Sequence, residues 1–223
     1  MKQECKFTLA GMLKFELISL YGRHFSSFRK PHLQQNLNYL NLGCGINFQE
    51  AMGGGHNIIN ADFFSHLKPF KTYTTPKPQW QLDLRYPLLC PDNAFDGVFS
   101  EHVLEHLYID EALLLLKEIF RILKPGGTLR LSVPDLDFRV KEYLADKQDV
   151  NKKNLANEHI RKLTQEWLHL SVWDYDRLHY ELESLGFVSI QRSSCGNGRD
   201  PLLLFDLKER AFESLYVEAS KPA

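Results

Sequence analysis

Tyr39-Leu40-Asn41-Leu42-Gly43-Cys44-Gly45 is the stretch whose reading decides the fold. Residues 39–42 read as a short buried strand, and two glycines follow it directly. Without side chains there, the backbone can turn tightly and let a ligand approach its N–H groups. A bare G-x-G is equally an ordinary strand-to-helix turn, so the residues farther along decide between the two. Asp62 ends a second strand, 57–61, where a carboxylate can accept both hydroxyls of a ribose. Asp83 ends a third, 80–82, where an acceptor can take a proton from an adenine amino group. A glycine turn and two acids at the carboxyl ends of three successive strands describe a nucleoside site, because open α/β sheets bind ligands at that edge.

Outward from these strands the same alternation continues. Residues 95–99 and 129–133 read as further strands, and the helix between them starts at a capping Asp110. Ala112, Leu113, Leu116, Ile119, Phe120 and Leu123 recur at its helical spacing, and Lys124-Pro125-Gly126-Gly127 stops it. Helical segments are expected over 136–145, 154–170 and 175–185, with Gly186 closing the last, and late strands over 187–191 and 215–219 around a polar loop at 196–201. Strands alternating with helices predict an α/β fold, a parallel sheet with helices on both faces.

The spacing also selects the nucleoside. A dinucleotide fingerprint needs a third glycine, but Phe48 and Asn47 hold the two places where it would fall. No G-x-x-x-x-G-K-[ST] cradle follows. A ligand with ribose and adenine but no pyrophosphate fits, and S-adenosyl-L-methionine is one. The chain has 223 residues, 43% hydrophobic and 25% charged, with a net charge of −1. Those values exclude collagen, disorder, coiled coil and a disulfide scaffold, and they give no broad basic face for nucleic acid.

With these features the sequence resembles the class I S-adenosylmethionine-dependent methyltransferases, particularly the type-11 group. The resemblance runs through L-N-L-G-C-G, N-A-D-F, Q-L-D-L, P-D-N-A-F-D-G-V-F-S-E-H-V-L-E-H-L, L-K-P-G-G-T-L-R-L-S-V-P-D-L-D and the closing E-S-L-Y-V-E-A. It implies a Rossmann-like, seven-stranded, mostly parallel sheet with the last strand antiparallel. It also implies that Gly43, Cys44 and Gly45 line the methionine part of the cofactor, that Asp62 holds the ribose, and that Asp83 with Leu84 borders the adenine. Ser100, Glu101 and His102 would lie beneath the sulfonium and the acceptor. Asn41 is expected to border the cofactor as well; many members carry an acid at this position, so the resemblance implies no direct charge contact from Asn41 to the cofactor's amino group.

His102-Val103-Leu104-Glu105-His106 has two readings. It spells H-x-x-E-H, which on one helical face could share a metal, with Glu181 or Glu183 as third ligand of a zinc protease. The resemblance supplies the same string without metal, and no metal is expected. Methyl transfer from a sulfonium needs two aligned reactants and a group to take a proton, so His102, then His106, are the candidate bases; the alternative reading is that both only orient the chain. Asp135 is either a substrate contact or the cap of the next helix. Arg199 and Asp200 either reach the cleft or form a surface turn, and Trp167 and Trp173 either pack or wall a sugar.

Phe7, Leu9, Leu13, Leu17, Leu20 and Tyr21 form one helical stripe, with Arg23, Arg29 and Lys30 following. The stripe is read as packing on the domain over its cleft, or as a peripheral membrane contact through residues 1–30. The layout is then an N-terminal helical extension, 1–35, and a methyltransferase domain, 36–223, with an acceptor-side helical segment over 136–172. Cys5, Cys44, Cys90 and Cys195 fit free thiols in a reducing cytoplasm. The expected activity is methyl transfer to a small-molecule or glycan-like acceptor at oxygen. The alternatives are a lipid or specialised-metabolite methyltransferase and a catalytically silent binding protein.

Overall fold

The computed structural model describes residues 8–50, 55–64 and 76–223. Its seven strands form one sheet in the order β3-β2-β1-β4-β5-β7-β6. They are β1 Leu37–Leu42, β2 His56–Asp62, β3 Trp80–Gln81, β4 Phe95–Glu101, β5 Leu123–Pro134, β6 Val188–Ser193 and β7 Ser214–Ser220. β1 through β5 run parallel, and β7 is antiparallel to both β5 and β6. Leu40, Leu42, Ile59, Phe95, Val98, Leu129, Leu131 and Val133 are buried along the central strands. Such near-continuous apolar runs are what a sheet covered on both faces requires.

Three boundaries differ from the expectation, each for a local reason. The helix α2, Ile109–Ile122, begins one residue earlier, because the Glu111 carboxylate reaches back to accept from Tyr108 N–H at 3.0 Å. Asp110 lies in its first turn, where the helix dipole favours it, and does not cap it. β5 includes Lys124-Pro125-Gly126-Gly127, with Gly126 at φ 77, so the segment that stops the helix also opens the next strand. The expected helix over 154–170 is shorter: α3 spans Leu136–Gln148, α4 Asn157–Thr164 and α5 Tyr175–Ser184. Beyond α4, Leu168 adopts φ 60 and the chain turns to meet the 3-10 turn Leu104–His106 that follows β4. There Leu170 N–H and Ser171 N–H both donate to Glu105 O, at 2.6 and 3.2 Å.

The N-terminal helix α1, Leu9–Phe25, is the largest departure. It packs on the domain, but through Ile18, Ser19 and Gly22. Leu9, Leu13, Leu17, Leu20 and Tyr21, the stripe expected to face inward, are exposed; Phe7 lies outside the described residues. The reason is polar complementarity. Ser19 Oγ donates to Asp83, Glu16 pairs with Arg85 at 2.6 Å, and Arg23 stacks 3.6 Å over the Tyr86 ring. Gly22 lies against the Phe64 ring, where a Cβ would collide. Among the described residues, no helix is long and apolar enough to cross a membrane.

Candidate active site

The strand order reverses direction at β1 and β4, which makes a crevice outside their carboxyl ends the natural ligand site. A cavity of about 140 Å³ opens there, lined by Asn41, Gly43, Cys44, Gly45, Glu101 and His102 among the expected residues, and by Arg210 from the far end of the chain.

The glycine turn curls back over β2. Gly43 N–H and Cys44 N–H both donate to Ala61 O, at 2.8 and 3.0 Å, and Gly45 N–H donates to Asp62 Oδ2 at 2.5 Å. The first two N–H groups therefore brace the loop and do not face a ligand, contrary to the simple reading of the motif. Asn41 Nδ2 donates to Asn47 O at 2.7 Å and Asn60 Oδ1 at 2.9 Å, so its amide is spent on the same bracing. Gly43, at φ 71, is needed because a Cβ would strike Val103 Cγ2; the turn thus packs directly on the segment that carries His102. Burial, then the nearby Asp62, pushes the Cys44 thiol far up, so it remains a neutral wall.

Asp62 and Asp83 sit at the tips of β2 and β3 as expected, but neither lines this cavity. Asp83 is buried and its carboxylate holds Ser19 Oγ at 2.5 Å and Arg85 Nη2 at 2.7 Å. Burial alone would raise its pKa; the hydrogen bonds from Arg85 and Ser19 outweigh that and hold it below the ordinary value. Leu84 packs against the core, and the Ser100 hydroxyl is buried with no hydrogen-bond partner among the described residues. Glu101 accepts from Leu207 N–H at 3.0 Å, and burial raises its pKa.

His102 and His106 do not share a helical face. His102 has φ 52, and the short turn Leu104–His106 is a 3-10 helix. The H-x-x-E-H zinc geometry is therefore not formed, and Glu181 is paired with Arg177 at 2.5 Å instead. His106 meets His169 with ring centroids 5.0 Å apart, and potential ligand atoms of Glu105, His106 and His169 lie within 4.8 Å of one another. His169 was missed by sequence reasoning: the break at Leu168 brings it in, and no periodicity marks that position.

The hydrogen-bond chain fixes the His102 tautomer. Ser214 Oγ donates to Arg210 O at 2.7 Å, so it accepts from His102 Nε2–H, also at 2.7 Å. His102 Nδ1 is then the free lone pair, 3.3 Å from Glu105 Oε1. Burial, reinforced by Arg210, His169 and His106, lowers the His102 pKa to about 3, and burial raises that of Glu105 to about 8. Burial thus favours the neutral form of both groups. Burial, then His169, lowers His106 to about 4.

A second cavity of about 390 Å³ adjoins the first. His102, Glu105, His106, Arg139, Lys162, Glu166, Trp167, His169, Arg210 and Phe212 contribute to its wall. His102 and Arg210 line both cavities. Trp167 is thus a wall residue, whereas Trp173 is buried and donates to Ser171 Oγ at 3.0 Å. Asp135 caps α3, accepting from Asp137 N–H. Arg199 and Asp200 line neither cavity: Arg199 N–H donates to Glu218, and Asp200 caps the 3-10 turn Pro201–Leu203.

Comparison with known proteins agrees with the fold. Residues 40–131 match the family model for a type-11 methyltransferase domain. One similar solved structure is that of a possible exported protein from Bordetella parapertussis, at TM-score 0.54 and 16% identity, covering 98% of this chain and 71% of that one. Another is a chain of the complex between the Haloferax volcanii Trm112 methyltransferase activator and a proposed methyltransferase, at TM-score 0.50 and 16% identity, covering 96% of each. At that identity the two structures establish the fold alone. The domain match over residues 40–131 and the sheet order together show a Rossmann-like methyltransferase fold, and the chain is similar in that region to the type-11 methyltransferase domains.

Proposed function

We propose that the protein transfers a methyl group from S-adenosyl-L-methionine to an oxygen of a small, polar, glycan-like acceptor. The observation that carries this reading is the pair of cavities that meet at His102 and Arg210. The smaller, at the glycine turn, suits the methionine end of the cofactor: Glu101 can meet its ammonium and Arg210 its carboxylate. Asp62 suits the ribose, exchanging its bond from Gly45 N–H for a hydroxyl; an adenine amino group would share Asp83 with Ser19 and Arg85. The larger cavity mixes aromatic Trp167 and Phe212 with Arg139, Lys162 and Glu166, a lining that suits hydroxylated rings and weighs against an acyl chain.

The cofactor supplies an activated methyl whose transfer leaves a neutral thioether. The acceptor oxygen forms the new bond to carbon as the carbon–sulfur bond breaks, and the chain must align the two and receive the acceptor's proton. The neutral His102, with its Nδ1 lone pair beside Glu105, is placed to receive it, and His106 stands second. The free thiols Cys44, Cys90 and Cys195 suit a reducing compartment such as the cytoplasm.

Calorimetry with S-adenosyl-L-methionine, followed by detection of S-adenosylhomocysteine against a panel of sugars, tests the proposal. Cofactor binding and turnover with a glycan-like acceptor are expected, and His102→Ala should reduce turnover on the order of 10²-fold with cofactor affinity held. No cofactor binding would overturn the reading. Turnover confined to lipids would overturn the acceptor class, and unchanged turnover in His102→Ala would remove the base assignment.

A further inference from the structure

The outward face of α1 has no partner within the described chain. Advancing 100° per residue, Leu9, Leu13, Leu17, Leu20, Tyr21 and Phe25 fall on one arc of about 160°, with Ile18 at its edge and Gly22 and Ser19 beyond it. These six side chains are between 49% and 76% exposed. A soluble helix normally turns such a stripe inward; here it is turned out, and the polar face is fastened to the domain.

The fastening is specific. Ser19 holds Asp83, Glu16 holds Arg85, and Phe15 stacks on Phe63 with centroids 4.3 Å apart. Just past the helix, Phe28 O accepts from Gln81 N–H at 2.7 Å and Arg29 O from Trp80 Nε1 at 3.1 Å. The segment is therefore not a loose apolar tail; its orientation is set by the tips of β2 and β3, and the apolar arc is held away from them.

The charges on that arc choose its occupant. Lys14 and His24 lie among the apolar residues, and Arg23, Arg29 and Lys30 follow at the end of the helix. Glu16 is the only carboxylate in α1, and it is on the other flank, paired with Arg85. An apolar surface that carries cations, and whose one bordering carboxylate, Glu16, is already paired with Arg85, complements an anionic lipid headgroup layer over acyl chains. A second copy of this chain fits less well: a two-fold contact through the arc would set Lys14 and His24 against their own kind, with no carboxylate to meet them.

We infer that α1 is an interfacial helix that seats the protein on an anionic membrane surface, lying in the headgroup plane. This goes beyond the methyl-transfer reading and does not depend on it. Docked in this way, the membrane would abut the helix that holds Asp83, at the nucleoside side of the site.

Flotation of the full chain with vesicles of phosphatidylcholine alone, and of phosphatidylcholine mixed with phosphatidylglycerol, is the test. The protein should rise with the mixed vesicles, less so with phosphatidylcholine alone, and less as salt is raised. The double variant Leu13→Glu, Leu17→Glu replaces exposed side chains only, and should lose more than about tenfold in partitioning while its melting temperature and cofactor affinity stay unchanged. Wild-type protein that stays at the bottom with mixed vesicles would overturn the inference. So would equal partitioning of the double variant. A dimer in solution that this variant converts to monomer would overturn it in favour of a second copy.

Discussion

Ser19 Oγ lies 2.5 Å from Asp83 Oδ2, so a helix that begins the described chain is bound to a strand-end acid 64 residues away. The bond is buried, and Arg85 completes the cluster from Asp83's other side. Asp83→Asn should loosen α1 by about 1.5–3 kcal/mol, the range for a hydrogen bond to a charged group, read as faster hydrogen exchange confined to residues 9–25. Because the folded pKa is held below the ordinary carboxylate value of 3.8, this contribution is present above about pH 4 and disappears as pH falls through the folded value. The protection of the α1 amides, corrected for intrinsic exchange, should therefore be flat from neutrality to about pH 4 and fall below it.

Glu105 produces the opposite slope. Its folded pKa is about 8 against an ordinary value of 4.5, so its contribution to stability is full below about pH 4.5 and is lost as pH rises through about 8. Within that window wild-type stability should fall relative to Glu105→Gln by up to about 1.4 kcal/mol per pH unit. Urea melts across the window measure it; parallel curves for the two proteins would show that Glu105 is already ionised when folded.

The two glycines of the turn should answer differently to alanine. Gly43 has φ 71 and a Cβ there meets Val103, whereas Gly45 has φ 50 and open space. Gly45→Ala carries only backbone strain, about 1–2 kcal/mol, and should keep cofactor binding within a few fold. Gly43→Ala must also push Val103, and with it His102, so cofactor binding and turnover should both fall. Calorimetry and turnover on the two variants separate them; a larger loss in Gly45→Ala would contradict the packing.

Much of this was legible beforehand, and the division has a physical basis. Turns at strand ends are written locally, so the glycine pair, Asp62 and Asp83 could be placed from spacing alone. The α1 stripe was equally visible, but periodicity reports that a helix has an apolar face, not which face the domain holds. Ser19, Glu16 and Arg23 reversed the answer by finding Asp83, Arg85 and Tyr86. His169 and Arg210 were out of reach: both come from irregular segments, one redirected at Leu168 and the other in the 3-10 turn Lys208–Arg210, late in the chain.

Arg130 supports that late segment from below the sheet. Fully buried, it pairs with Asp206 at 2.6 Å and Glu218 at 2.8 Å and also donates to Asn197 O and Ser194 O. Arg130→Met leaves two carboxylates buried without their cation and should cost about 3–5 kcal/mol. It should also disorder the route to Leu207 and Arg210, so KM for the acceptor is expected to rise in whatever protein remains folded. Thermal melts and steady-state kinetics check both; a loss under about 1 kcal/mol would mean the cluster is hydrated.

β7 sits between β5 and β6 although it follows both in the chain. A polypeptide emerging from the ribosome therefore carries the edge of β5 unpaired, and Arg130 without Glu218, until residues 214–220 arrive. At the usual pace of synthesis that interval is roughly ten seconds, long enough for a bare apolar edge to find another nascent chain. The order in which this protein is made thus exposes it to aggregation at one defined stage. Slowing translation between β5 and β7 should lower its soluble yield more than the same delay placed before β1.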